Sequence, residues 1–268
     1  MPSLEIACKL KKIFPRISTR GFYDLDSGAT LQHEPYHLYP KRMFDALVGT
    51  KEITIMIHGL RNNATGALTK FITARRRLAS LGYKHPVIGY SYDSNTVGAQ
   101  YISYALHALH IGVIIANKNG RNLAKFIGDF KHKSPETKIR LIGHSLGAHV
   151  IMSTIKNLAR NAKNKGIIEA VYFFGGSIPS NSLNMKNGSI YQKVVARKIR
   201  NYYSPYDDVL RLADYWNWVD KPIGYRGADG KTVSKYSQTM VKPKIIDLLV
   251  MHLYLGLFHE ISEFCCSW

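Results

Sequence analysis

The chain has 268 residues, 46% of them hydrophobic, with 37 Lys and Arg against 18 Asp and Glu, a formal net charge of +19. That length and apolar fraction exclude a low-complexity or disordered chain and suit a single domain, residues 1–268, with a sizeable core. The charge disfavours self-association and attracts anions, but no nucleic-acid-binding motif accompanies it, so the expectation is a solvated basic surface without a specific nucleic acid, an anionic surface being the alternative.

Residues 1–14 interrupt their apolar positions with Glu5, Lys9, Lys11 and Lys12, so no signal-peptide core forms. Leu4 to Ile13 and Gly21 to Leu25 read as edge strands, and Pro35 and Pro40 bracket a loop. Ile53 to Ile57 is a short β-branched run suited to a buried strand. The turn-rich His58-Gly59-Leu60-Arg61-Asn62-Asn63 follows, and then Leu68, Phe71, Ile72, Leu78 and Leu81 recur at helical spacing up to Gly82, a helix stop. Pro86 to Tyr90 is the next strand. A long helical pattern runs from Tyr104 to Phe130, with Gly112, Gly120 and Gly128 predicting a kink or break. The apolar stretch Tyr101 to Ala116 is short for a membrane span and contains His107 and His110, so it reads as the buried entry to that helix.

Further strands are expected at Ile139–Ile142, Ile167–Phe174, Lys198–Tyr203 and Ile245–Val250, with a C-terminal helix after the last. Strands alternating with helices predict an α/β class: a mostly parallel central sheet with helices on both faces. Residues 177–193 and 211–242 exceed what tight connections need and carry Tyr215, Trp216, Trp218 and Tyr225, so they are expected to form a wall or small cap. Cys8, Cys265 and Cys266 are odd in number and form no C-x-x-C, which argues against a disulfide framework or a thiolate zinc site and makes the cytoplasm the default location.

The chemistry centres on Gly143-His144-Ser145-Leu146-Gly147, placed between a strand and a helix as a nucleophile elbow requires. A serine hydroxyl needs a general base, and the base needs an orienting acid; on this scaffold the chain order is Ser, acid, His. The acid candidates are Asp207 and Asp208, in the turn after the Lys198–Tyr203 strand, with Asp207 preferred. Only His252 and His259 follow them; His252, directly after the last expected strand, is preferred. Two oxyanion donors are expected: the N–H of Leu146, next to the nucleophile, and the N–H of Leu60, in the loop after Ile57. His58 is expected to support that loop, Arg61 and Asn62 to line a pocket, and Tyr92, Asp93 and Ser94 to form part of the rim. His144 and His149 read as structural. No zinc pattern, P-loop or dinucleotide fingerprint occurs, so no metal or cofactor is expected.

Ile57-His58-Gly59-Leu60 followed by Gly143-His144-Ser145-Leu146-Gly147-Ala148-His149 resembles the α/β-hydrolase superfamily, in its lipase and esterase branches, and the elbow wording is similar to the pancreatic-lipase family. The resemblance covers Lys51 to Leu158 well. It implies a Ser-His-Asp triad that hydrolyses esters without a cofactor. In the pancreatic-lipase pattern the acid follows the strand after the nucleophile helix. Here that strand ends in Phe174-Gly175-Gly176, without a carboxylate, so the acid is expected one strand later, at Asp207, as in many bacterial and archaeal esterases. The reading is therefore a serine carboxylesterase acting on a small or polymeric ester. Thioester, lactone or polyester hydrolysis on the same triad is one alternative. A non-catalytic hydrolase-fold protein that binds an anionic partner is the other.

Overall fold

The computed structural model describes residues 14–99 and 101–242. The readings at Leu4–Ile13, Ile245–Val250, the C-terminal helix, His252, His259 and all three cysteines lie outside these residues. Among the described residues, eight strands form one sheet in the order β2-β1-β4-β3-β5-β6-β7-β8. They are β1 Arg16–Ser18, β2 His37–Tyr39, β3 Glu52–Ile57, β4 Val87–Ser91, β5 Lys138–His144, β6 Ile168–Phe174, β7 Val195–Tyr203 and β8 Tyr236–Met240. Of these strand pairs, the edge pair β1–β2 is antiparallel and the others are parallel. The expected α/β class therefore holds: a mostly parallel sheet with helices on both faces.

The sheet is covered on both faces because its central strands alternate between two cores. Ile53, Ile55 and Ile57 of β3 join the larger cluster, which includes residues of α3 (Ala105–Lys133) and α4 (Gly147–Ala159). Met56, between them, joins the smaller cluster on the other side, with Leu68 and Phe71 of α2 (Ala64–Ser80). The period of two along the strand produces this division. The stop of α2 is as expected, with Gly82 in the left-handed region (φ 82°) just past the helix end.

Several local expectations are corrected. Gly21 to Leu25 forms turns with one isolated bridge, Tyr23 to Thr30, because Asp93 accepts the N–H groups of Gly21 (2.9 Å) and Tyr23 (3.3 Å) and curls this segment over β4. The Pro35–Pro40 loop contains β2, followed by a short helix α1 (Lys41–Asp45). No break interrupts the 29-residue α3. Two of its glycines serve contacts instead: a Cβ on Gly120 would lie 2.2 Å from Cβ of Ser153 in α4, so the glycine lets the two helices approach closely. The start of α3 is exposed rather than buried; Tyr104 is 60% and Leu106 52% accessible. The segment 211–242 carries regular structure. It holds most of α6 (Asp208–Tyr215), then α7 (Ile223–Arg226), and β8, whose alternation is hidden by polar residues at a sheet edge. Residues 177–193 include a 3₁₀ turn, Ser180–Leu183, and α5, Ser189–Val194, begins in them.

Candidate active site

The register of the sheet brings the site together. Ile57 pairs with Gly143, so the chains leaving β3 and β5 emerge side by side at the carboxyl edge. The contact is close enough that a Cβ on Gly59 would lie 2.8 Å from Cβ of Ser145. Ser145 sits in the left-handed region, φ 51°, which a non-glycine residue occupies only when its surroundings enforce it. Its N–H donates to Phe174 O (3.1 Å) at the end of β6, and its carbonyl accepts from Ala148 N (3.0 Å) and Ser177 N (3.3 Å). This backbone clamp holds the half-buried serine at the amino end of α4, where the unpaired N–H groups of a helix favour negative charge.

Leu60 and Leu146 stand next to each other. Both side chains converge on Gly112 of α3, where an added Cβ would meet Leu60 Cδ1 at 2.6 Å and Leu146 Cδ2 at 3.1 Å. Among the described residues neither backbone N–H donates to another group. Two uncommitted donors beside a strained serine can hold an oxyanion.

His58 is fully buried behind this loop. Arg20 Nη2 lies 3.2 Å and Tyr92 N 3.3 Å from its Nε2, and its Nδ1 lies 2.9 Å from Gly59 O. Burial, reinforced by the charge of Arg20, holds its pKa well below the usual histidine range. His58 thus supports the loop, as expected. Tyr92, Asp93 and Ser94 are corrected from rim to interior: all are buried, Tyr92 stacks on His58 at 4.5 Å, and Ser94 Oγ donates to Asn62 O at 3.2 Å. Asn62 is likewise buried and donates to Gly59 O and Leu60 O, so it shapes the loop from within rather than lining a pocket. Arg61, at φ 60°, completes the loop, its N–H bound to Ser94 O.

Asp207 caps the amino end of α6, accepting from Leu210 N at 3.0 Å. Burial pushes its carboxyl up to about 6, a rise that the N–H groups of Leu210 and Val209 restrain and the charge of Asp208 reinforces. Asp208 instead pairs with Arg211 at 2.8 Å. Ser145 follows β5 and Asp207 follows β7, so they leave the same edge two strands apart. Between them, Gly175 N donates to Tyr202 O, and Phe174 stacks on Tyr202 at 4.8 Å. The end of β6 is tightly packed: a Cβ on Gly176 would lie 3.2 Å from Ala148 Cβ and 3.3 Å from Ile223 Cγ2, and Gly224 N of α7 donates to Gly176 O.

Asp207 also makes a pH prediction. A carboxyl raised in the folded state binds its proton more tightly there than in the unfolded chain, so its contribution to stability falls as pH climbs from the ordinary aspartate range to about 6. Asn caps a helix as well as Asp does. Asp207→Asn is therefore expected to gain stability relative to wild type across that window. Urea midpoints of both proteins at several pH values check this; a gap that does not change with pH contradicts it.

His144 and His149 are held neutral by burial, at about 3 and about 4. His149 Nε2 bonds Ser177 O at 3.1 Å. Among the described residues no cluster of three or more His, Cys, Asp or Glu is placed to hold a metal ion, and no helix is long and apolar enough to cross a membrane.

Sheet, elbow and the loop after β3 define an α/β protein with a candidate serine site at the carboxyl edge of a mostly parallel sheet. Residues 102–218 match a family described as "Protein of unknown function (DUF726)". A rice (Oryza sativa subsp. japonica) protein, "Transmembrane and coiled-coil domain-containing protein STS1", is 32% identical over 95 residues, 35% of this chain and 14% of that protein's length. Similar solved structures include a lipase-esterase related protein from Clostridium acetobutylicum (13% identity, 81% of this chain and 97% of that one, TM-score 0.39). Trichoderma reesei cutinase in complex with a phosphonate inhibitor is another (22% identity, 48% and 56%, TM-score 0.33). A third is a cutinase-like protein from Cryptococcus sp. (11% identity, 71% and 76%, TM-score 0.33).

Proposed function

We propose that the protein is a serine hydrolase that cleaves carboxylic esters through an acyl-enzyme on Ser145. The observation that carries this reading is the left-handed Ser145 with the two uncommitted N–H groups of Leu60 and Leu146 beside it. In this reading Ser145 Oγ attacks the ester carbonyl as His252 takes the serine proton, and the carbonyl oxygen becomes an oxyanion held by Leu60 and Leu146. His252 then protonates the leaving alcohol, and water activated by the same imidazole releases the acid. Asp207 orients that imidazole and stabilises its charged form. Asp207 is itself fixed by its cap bond, Leu210 N to Oδ1 at 3.0 Å.

A fluorophosphonate should label the wild type on Ser145, and short-chain nitrophenyl esters should be hydrolysed; a folded protein that does neither removes the reading. Rates on matched oxygen esters, thioesters, lactones and a polyester film separate ester cleavage from its variants on the same triad.

A second reading concerns the opposite edge. Residues 131–200 hold thirteen Lys and Arg against Glu136 and Glu169. Lys133, Lys138, Arg160, Lys163, Lys165 and Arg197 are exposed at or near the amino ends of β5, β6 and β7, and Glu169 is buried between Lys138 (3.9 Å) and Arg197 (3.7 Å). This pole would bind an anionic partner while leaving the Ser145 edge free. Binding to anionic-lipid vesicles or duplex DNA is then expected to weaken steeply with salt, and to be lost on changing Arg160, Lys163 and Lys165 together to Glu. Equal binding by that triple variant rejects the pole.

A further inference from the structure

We infer that Arg20 is a positioning residue: its guanidinium braces the oxyanion loop from behind and, through His58, sets the direction of the Leu60 N–H. The inference rests on the serine hydrolase reading and adds to it a residue from outside the elbow, the loop and the triad.

The brace begins in the turn after β1. Thr19 N donates to Ser91 O at 3.0 Å, and Asp93 accepts from Gly21 and Tyr23, so Arg20 is held at the carboxyl end of β4 from both sides. Its Nε donates to Ser91 Oγ at 2.8 Å. Its Nη2 reaches His58 Nε2 at 3.2 Å and Asn63 O at 3.2 Å. One guanidinium thereby ties the first residue of the loop to the residue that caps α2. A planar fork of fixed donors suits such a bridge.

The donor set determines the state of His58. A guanidinium has only protons to give, and so does the backbone N–H of Tyr92, 3.3 Å from the same nitrogen. Nε2 must therefore be the unprotonated acceptor, and the single ring proton sits on Nδ1. From there it goes to Gly59 O at 2.9 Å. Stacking on Tyr92, at 4.5 Å with 9° between the planes, fixes the ring orientation.

Gly59 O and the Leu60 N–H belong to the same planar trans peptide, so they point in opposite directions. His58 Nδ1, together with Asn62 Nδ2 at 3.1 Å, draws the carbonyl inward. The Leu60 N–H must then face away from the His58 side. The next peptide is held the same way, with Leu60 O bound to Asn62 Nδ2 at 2.8 Å and Arg61 N to Ser94 O at 2.7 Å. Without Arg20, Nε2 loses its side-chain donor, the other tautomer becomes available, and a His58 protonated on Nε2 offers Gly59 O a lone pair instead of a proton. Gly59 O then keeps only the Asn62 Nδ2 donor, and the lone-pair repulsion from Nδ1 turns the peptide away from its set direction.

The test has two arms. Nitrogen-15 spectra of wild-type His58 near neutral pH should show a neutral ring protonated on Nδ1; protonation on Nε2 overturns the proposal without any variant. Arg20→Met should then shift His58 towards the other tautomer and lower kcat on a nitrophenyl ester by roughly 10²-fold, the scale of one lost oxyanion donor, with KM little changed. Arg20→Lys, which keeps the charge and one donor, should recover part of both readouts. A folded Arg20→Met protein with the wild-type tautomer and wild-type kcat also overturns the proposal. If the wild type neither labels nor hydrolyses, the hydrolase reading fails, and the His58 spectra still decide whether Arg20 sets the tautomer.

Discussion

Ser145→Ala is expected to abolish both ester hydrolysis and fluorophosphonate labelling while leaving the fold intact. The expectation follows from placement. Ser145 Oγ is the hydroxyl of a residue forced to φ 51° at the edge of the sheet, and the clamp around it is made by its backbone, through Phe174, Ala148 and Ser177. Alanine keeps every one of those bonds and removes only the hydroxyl, so stability should change by about 0.5 kcal/mol or less, as for a site away from packing and cap effects. The loss of rate should be far larger. In serine hydrolases that run through a covalent intermediate, removing the nucleophile costs on the order of 10⁶-fold in kcat, with only the oxyanion hole and binding left to act. Turnover and thermal denaturation of the purified variant check both halves. A folded Ser145→Ala protein with full esterase activity would mean that another group attacks the ester.

The second large effect is predicted for Gly147→Ala. A Cβ there would lie 2.6 Å from Ile57 O and 2.9 Å from His58 O. These oxygens are backbone atoms at the end of β3, so they cannot rotate aside as a flexible side chain can. The helix must instead move away from the strand. Overpacking of this kind typically costs about 1–3 kcal/mol. Here it also separates α4, which carries the Leu146 N–H, from the loop that carries the Leu60 N–H. A misplacement of about 1 Å can cost roughly 10²-fold in rate. Chemical denaturation should show a lowered midpoint, and the folded fraction should label slowly at Ser145. A variant as stable and as fast as wild type would show that the contact between α4 and β3 is looser than these distances imply.

Both predictions depend on glycines and a serine that stand out in the sequence, and this explains how much of the site was legible there. Gly143, Ser145 and Gly147 are local requirements of a strand that reverses into a helix, so the linear spacing encodes them. The same holds for the sheet. Ile53 to Ile57, Ile139 to Ile142 and Ile167 to Phe174 carry their burial in their own composition. The strand β8 was not legible, because Tyr236, Ser237, Gln238, Thr239 and Met240 line an edge where polar residues are tolerated. The unbroken α3 was not legible either. Gly112 and Gly120 look like helix breakers until Leu60, Leu146 and Ser153 are seen to need their space. Gly128 has nothing within 4 Å of an added Cβ, and no contact in the structure explains it.

The sequence by itself determined the α/β alternation, the elbow with its serine, the loop that follows β3, and the absence of a carboxylate after β6. Each of these is set by residues within a few positions of one another. Only the tertiary structure decided what stands behind the loop. Arg20, Tyr92 and Ser94 lie between 30 and 40 residues from His58 and reach it because β1, β4 and β3 are neighbours in the sheet. The state of a buried histidine depends on which donors surround it, and those donors are assembled by strand order rather than by spacing along the chain.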